Sequence, residues 1–513
     1  MTSSTSTSAT SSSSTCRRTS PAAPSDGEGV GPRIRRASPG GASVTPEEFR
    51  RHGHDLIDWI ADYRASLPQR PVRASVAPGD IAAQLAASAP EDGEDPTAVL
   101  GDLDDIVMPG LTHWQHPRFF NFFPANSELS SVLGDIASSG LGVLGLSWEA
   151  SPALSEVEQV VLGWARDLFG LPADFRGVIQ DTASTATLLA MLEARERASD
   201  FAMMGPGLTQ ASAPLTVYLS PYAHSSVRKA VLLAGFGEDQ IRWVDVDEDF
   251  AMDPESLAEA VAADRAAGAV PAAVVATCGT TTTTGLDPLA AIGEVAAAHG
   301  LWFHVDAAMA GSALILPEMR GMADGIDRAD SLVINVHKWF GVAFDCSLFF
   351  VRDPAHLEAV MSTNPSYLQS DRDAEVTNLR DWGVPLGRRF RALKLWFMLR
   401  IEGAEAIRAR LRRDLENARW FAAQVEAEPD WTVVAPVPLQ TVCIRHEPPG
   451  LTGEDLDAHT REWARAVNDS GRAYVSPSTL DGRWMVRISI GSLTTERSDV
   501  AALWETLKEA AAP

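Results

Sequence analysis

The sequence runs to 513 residues, 45% of them hydrophobic, with a formal net charge of −25 and a pI near 4.8. A chain this long and this apolar buries a large core and divides into more than one domain. Its negative field repels phosphate backbones and anionic membrane surfaces, which sets aside nucleic acid and membranes as partners.

Residues 1–43 are rich in Ser, Thr, Gly, Pro and Arg and poor in aliphatic side chains, so a disordered tail is expected there. No apolar h-region follows Arg17 and Arg18, and no apolar run approaches the roughly 18 to 20 residues needed to span a bilayer. Cys16, Cys278, Cys346 and Cys443 lie far apart without a CxxC pair, so neither a zinc site nor a disulfide framework is suggested and a reducing cytoplasm fits.

Thr45-Pro46-Glu47-Glu48 reads as a helix start. Phe49, Leu56, Ile57 and Ile60 then recur on one face of an amphipathic helix that needs a partner surface. Beyond turn-rich stretches at Pro78-Gly79 and Ala89 to Gly93, the aromatic segment from Thr112 to Phe120 reads as an irregular lid or cleft wall.

From about Leu154 to Phe350, helical patterns alternate with short apolar runs at Gly177 to Ile179, Val217 to Leu219, Ala273 to Ala276, Trp302 to Val305 and Leu332 to Asn335. Such alternation predicts an α/β fold with a mainly parallel sheet covered on both faces. Asp287-Pro288 is expected to cap a helix ending at His299, with Gly300 just past it. A helical pattern over Leu393 to Ile401 leads into helices near Ala404 to Glu426 and Asp455 to Ser470, with strands near Thr432 to Val434, Thr441 to Ile444 and Trp484 to Ile490. The expected division is a tail over 1–43, a helical segment over 44–117, a large domain over 118–393 and a smaller α/β domain over 394–513.

The chemistry gathers at predicted strand ends, where ligands of open α/β sheets bind. Lys338, in Asn335-Val336-His337-Lys338, is placed where a dry amine can lose its proton and condense with an aldehyde cofactor. Asp306 ends another apolar strand and can hold a proton on a pyridine ring nitrogen, or cap a helix. Asp181-Thr182-Ala183-Ser184-Thr185 precedes a helical pattern over Ala186 to Ala198 and reads as a phosphate site or an ordinary cap. The threonine run 280–284 either binds a ligand or forms a turn. His224 can stack on a planar cofactor or serve structurally, and Tyr367 stands on a polar stretch read as a mobile loop.

Taken in order, these segments resemble the group II pyridoxal-5′-phosphate (PLP) dependent decarboxylases, particularly those acting on aromatic L-amino acids. The likeness covers nearly the whole chain beyond the tail. It runs through Phe49-Arg50-Arg51, Met108-Pro109-Gly110-Leu111-Thr112-His113-Trp114, Ser147 to Ala153, the Asp306 and Lys338 segments and Pro385 to Phe390.

The resemblance implies the type I, aspartate aminotransferase-like fold and a homodimer whose N-terminal helical segment packs on the partner. It implies that Lys338 carries PLP and Asp306 pairs with the ring nitrogen, with His224 and Ala308 on the two ring faces. The phosphate would fall to Ala183, Ser184, Asn335 and His337, and Thr281 would touch the cofactor. Leu386 and Gly387 would come from the second subunit.

Tyr367 matches the loop tyrosine that protonates Cα, which is typically Phe in related aldehyde synthases. Trp114, Phe122, Phe123, Pro124, Ala125, Leu144, Leu146 and Gly387 would line the aromatic pocket together with His224. Gly387 and Leu146 leave room for an indole, whereas Ala125 and Met309 depart from the Thr and Tyr common in relatives. Discrimination between aromatic substrates is expected to be broad. The expected activity is therefore decarboxylation of Trp, 5-hydroxytryptophan, Phe, Tyr or DOPA, with an aldehyde synthase as the alternative. A non-catalytic PLP-binding regulator would need a DNA-binding module that the N-terminal tail does not offer.

Overall fold

Thr45 starts the first helix as its sequence demands. In the computed structural model its hydroxyl accepts from Glu48 N while the Glu48 carboxylate accepts from Thr45 N, with Pro46 in the first turn. The structure describes residues 44–208, 213–363 and 365–512, so the tail expected over 1–43, with Cys16, lies outside it.

The helices before the sheet are α1 (Pro46–Ser66), α2 (Pro96–Asp102), α3 (Leu129–Leu141) and α4 (Pro152–Phe169). Then come β1 (Arg176–Gln180), α5 (Ala183–Ala198), β2 (Leu215–Leu219), α6 (Ser225–Leu233), β3 (Ile241–Trp243), α7 (Pro254–Ala266), β4 (Val270–Thr277) and α8 (Leu289–His299). The large sheet is completed by β5 (Trp302–Asp306), β6 (Ser331–Ile334) and β7 (Ser347–Val351), followed by α9 (Pro354–Met361), α10 (Ala392–Ile401) and α11 (Gly403–Ala427). The C-terminal part holds β8 (Trp431–Val433), β9 (Thr441–His446), α12 (Gly453–Asp469), β10 (Ser476–Leu480), β11 (Arg483–Ser489) and α13 (Arg497–Ala511).

The seven-stranded sheet has the order β1-β7-β6-β5-β4-β2-β3. Neighbours from β6 to β3 are parallel, and β7 runs antiparallel to both β6 and β1. Every strand except β7 therefore points its C-terminal end to the same edge. Residues on both faces of β2, β5 and β6 are buried, which explains their unbroken apolar reading.

The C-terminal sheet, β10-β11-β9-β8, is antiparallel and builds its own core from Trp463, Val467, Val486, Ile488, Leu503 and Leu507. Phe120 of the aromatic segment is buried in that same core. Its N–H donates to Tyr474 O (2.9 Å) and its carbonyl accepts from Ser489 N (3.0 Å), so the segment before α3 is strapped to the C-terminal sheet.

Two helix starts differ from expectation. α8 begins at Leu289 with Pro288 as its N-cap. Asp287 instead turns inward, where its carboxylate accepts from Met252 N (2.8 Å) and Thr277 N (2.7 Å), and burial pushes its pKa up to about 6. α5 begins at Ala183, so the small hydroxyl residues expected ahead of the helix form its first turn, after an extended Thr182. Among the described residues no helix is long and apolar enough to cross a membrane.

Candidate active site

Each chemically distinctive residue follows the end of a strand of the large sheet: Thr182 to Ser184 after β1, His224 after β2, Gly279 and Thr281 after β4, Ala308 after β5, and Asn335 to Lys338 after β6. With Asp306, the last residue of β5, and Thr277, the last of β4, they surround a cavity of about 250 Å³. Placement at the carboxyl edge of the sheet is the general consequence of this topology.

Lys338 sits in a tight turn over Val336–Phe340, and its Nζ lies 5.7 Å from the centre of the Phe123 ring. Burial lowers the ammonium pKa, the Asp306 carboxylate opposes that shift, and the Arg487 guanidinium adds to it. The turn is held by Lys338 N donating to Asn335 O (3.0 Å) and by Asn335 N donating to Ala308 O (2.9 Å). Ser347 Oγ donates to Asn335 Oδ1 (2.6 Å), leaving that amide rigid.

His337 Nδ1 accepts from Cys346 N (3.0 Å), and burial pulls its pKa down to about 4. It is therefore neutral, with Nε2 carrying the proton.

Asp306 accepts from Ala308 N (3.0 Å) through one oxygen, so it caps the following turn while lining the cavity. Of the two sequence readings, the capping one is seen in that hydrogen bond. Behind it, His304 is fully buried, its Nδ1 lies 2.8 Å from Ser331 Oγ, and burial lowers its pKa to about 4. His224 is the N-cap of α6: its Nδ1 accepts from Ser226 N (3.2 Å) and meets Ser226 Oγ (2.7 Å). The Nε2 atom is then left as the proton carrier. Burial lowers this imidazole's pKa; Asp306 opposes the shift and Lys338 adds to it.

The first turn of α5 carries no side-chain cap, so the amides at Ala183 and Ser184 are available to an anion. Thr277 Oγ1, also at the cavity, is buried without a hydrogen-bond partner. The threonine run folds into a turn in which Thr284 N donates to Thr280 O (2.9 Å) and Gly285 N to Thr280 Oγ1 (2.9 Å). Of that run, only Thr281 reaches the cavity wall.

An aldehyde cofactor with a pyridine ring and a phosphate fits these residues: an amine with a lowered pKa, a carboxylate at the next strand end, an uncapped helix N-terminus and a buried hydroxyl in need of a partner.

Apart from Phe123, the remaining expected residues lie outside the cavity wall of the single chain. Tyr367 is 77% exposed in a short turn over Ser366–Leu368. The end of its loop is anchored by Asp373, which accepts from Ser370 N (3.0 Å) and Asn378 Nδ2 (2.9 Å). Leu386, Gly387 and Leu144 form a separate exposed cluster; a methyl added at Gly387 would lie 3.8 Å from Leu144 Cδ2. Leu146 is half-buried beside them in sequence, and Gly145 N donates to Arg388 O (2.9 Å), joining the two segments. Arg388 in turn fixes the cluster to β1, donating to Glu158 Oε1 and Ile179 O, each at 2.7 Å.

Trp114 stacks on Phe119 (4.7 Å) and Phe122 (5.5 Å), Pro124 packs towards Gly491, and Ala125 O accepts from Gln115 Nε2 (2.7 Å). Of the expected aromatic-pocket residues Trp114, Phe122 and Phe123, only Phe123 lines the cavity.

Thr182 and Met309, named above only as part of a motif and as a departure from relatives, also line the cavity, as do Ser226, Thr277 and Gly279, which were not expected there. Their signal was adjacency to strand ends already marked by Ser184, His224, Thr281 and Asp306.

Residues 78–447 match the family model described as the pyridoxal-dependent decarboxylase conserved domain. The chain is 40% identical over 475 residues to phenylacetaldehyde synthase of Arabidopsis thaliana, a match covering 91% of this chain and 96% of that protein. It is 37% identical over 475 residues to tryptophan decarboxylase 2 of Oryza sativa subsp. japonica, covering 91% and 95%. A crystal structure of Oryza sativa TDC with PLP and tryptamine superposes with a TM-score of 0.89 at 36% identity, covering 92% of this chain and 99% of that one.

Proposed function

This chain belongs to the pyridoxal-dependent decarboxylase family, and on that premise we propose that it converts an aromatic L-amino acid to its amine and carbon dioxide, with the residues of the Lys338 cavity as its machinery. It is a PLP-dependent carboxy-lyase with the type I, aspartate aminotransferase-like α/β fold.

The observation that carries the reading is the meeting of Lys338 and Asp306 in one cavity at adjacent strand ends. PLP, when bound, supplies an aldehyde that condenses with amines and a protonated pyridine ring that accepts the electron pair released as carbon dioxide departs. Lys338 Nζ, eased toward its neutral form by burial, would hold the cofactor through its amine. The Asp306 carboxylate keeps the proton on the ring nitrogen. The α5 amides at Ala183 and Ser184 bind the phosphate, with Asn335 and His337 alongside. His224, Ala308 and Thr281, which line the cavity, would hold the cofactor's ring. Tyr367 Oη moves a proton to the substrate's Cα once its loop has closed.

The substrate class rests on the Phe123 wall and on relatives named for tryptophan and tyrosine. Gly387 and Leu146 incline the reading to indoles. Trp114, Phe122, Pro124, Ala125 and Leu144 complete the pocket when a second copy is present. A homodimer is supported by apolar surface that the single chain leaves uncovered, including Phe49 at 68%, Leu141 at 61% and Leu144 at 59% exposure. In that dimer Leu386 and Gly387 serve the partner's cavity, and α1 with the rest of 44–117 packs on the partner. A cytoplasmic location agrees with three buried free thiols.

An aromatic aldehyde synthase is the second reading, favoured by the Arabidopsis relative. Purified holoenzyme given L-tryptophan decides between them. Tryptamine and carbon dioxide in equal amounts, without peroxide, is the expected result; indole acetaldehyde with ammonia and hydrogen peroxide would establish the synthase instead.

A further inference from the structure

Arg487, on β11 of the C-terminal sheet, is a buried cation with an unusual set of neighbours. Its residue exposure is 4%. Nη1 donates to the carbonyl of Phe122 (2.6 Å), and the guanidinium carbon lies 4.2 Å from the centre of the Phe123 ring. Nε and Nη2 are buried without hydrogen-bond partners, and among the described residues no carboxylate pairs with it. A buried, unpaired guanidinium is costly, so its position calls for an account.

The geometry supplies one. Phe122 has a left-handed backbone (φ 50°), uncommon for an aromatic residue. Its N–H is held by Asn121 Oδ1 (2.7 Å) and Ser476 Oγ (3.0 Å), and its carbonyl by Arg487. The next residue, Phe123, turns its ring into the cavity, with Lys338 Nζ at 5.7 Å and the Arg487 guanidinium at 4.2 Å from the ring centre. One ring thus lies between the two basic side chains.

We propose that Arg487 is a positioning residue of the active site: it pins the Phe122 carbonyl and the Phe123 ring beside Lys338, so that the C-terminal sheet sets the wall against which the substrate's aromatic ring packs. The inference rests on the proposed aromatic decarboxylase reading. Its second consequence is electrostatic, because the Arg487 charge near Lys338 disfavours a proton on that nitrogen.

The test compares Arg487→Met and Arg487→Lys with wild-type holoenzyme, measuring KM and kcat for L-tryptophan and titrating the absorbance of the bound cofactor with pH. Wild-type release of tryptamine is the control for the underlying reading, since its failure there would sink that reading and not this one. Arg487→Met is expected to raise KM by about tenfold with a much smaller change in kcat, the loss of one charge-assisted hydrogen bond felt through the wall. It also moves the absorbance midpoint up by about one pH unit. Arg487→Lys keeps the charge but not the planar fork, so it restores the midpoint while KM stays raised. Wild-type KM and midpoint in Arg487→Met, with lowered thermal stability alone, would reduce Arg487 to a packing role and overturn the proposal. Should Arg487→Met fail to fold, Arg487→Lys decides: a raised KM with an unmoved midpoint supports the proposal, and a wild-type KM overturns it.

Discussion

Replacing Lys338 with alanine is expected to reduce amine release from L-tryptophan by on the order of 10³-fold or more, while the protein folds and still binds PLP. The loss follows from position. Lys338 is the lysine of this cavity, its ammonium pKa is lowered by burial, and the Asp306 carboxylate opposes that shift. The phosphate determinants at the start of α5 do not involve Lys338, so affinity for the cofactor falls much less than turnover. The measurement is amine formation by chromatography beside cofactor content by absorbance. A variant retaining a tenth of wild-type turnover would show that another group does this work.

Tyr367→Phe is expected to lower amine formation by about 10²- to 10⁴-fold, the usual contribution of a positioned general acid, and to raise the fraction of substrate leaving as aldehyde with peroxide. The substitution removes one oxygen. Because Tyr367 is 77% exposed, stability should change by no more than about 0.5 kcal/mol. Activity and stability therefore separate cleanly, and product analysis by mass spectrometry with a peroxide assay reads the outcome. Wild-type amine formation in this variant would assign the proton to another donor, with His224 the first candidate by its place in the cavity wall.

The parts of this site that were legible in the sequence are those whose meaning is local. Lys338, Asp306, Ser184 and His224 each follow an apolar run, and the parallel sheet brings the ends of such runs together. The residues that the sequence left obscure depend on distant partners. Asp287 looks like a helix cap because it precedes a proline, yet it satisfies the amide of Met252, 35 positions away. Arg487 is one arginine in an ordinary strand until it meets the carbonyl of Phe122, 365 positions earlier. β3, three residues long, is too short to carry a periodic signal. Tyr367, Leu386 and Gly387 sit on exposed segments, so the roles proposed for them rest on loop closure and on the proposed second copy.

Peptide mapping after borohydride reduction of the PLP-loaded enzyme tests the central claim most directly. The chain has four lysines, Lys229, Lys338, Lys394 and Lys508, so the attachment point can be assigned without ambiguity. The account predicts the reduced cofactor on the peptide containing Lys338. Label on any of the other three, or none after absorbance has shown the cofactor to be bound, would contradict it.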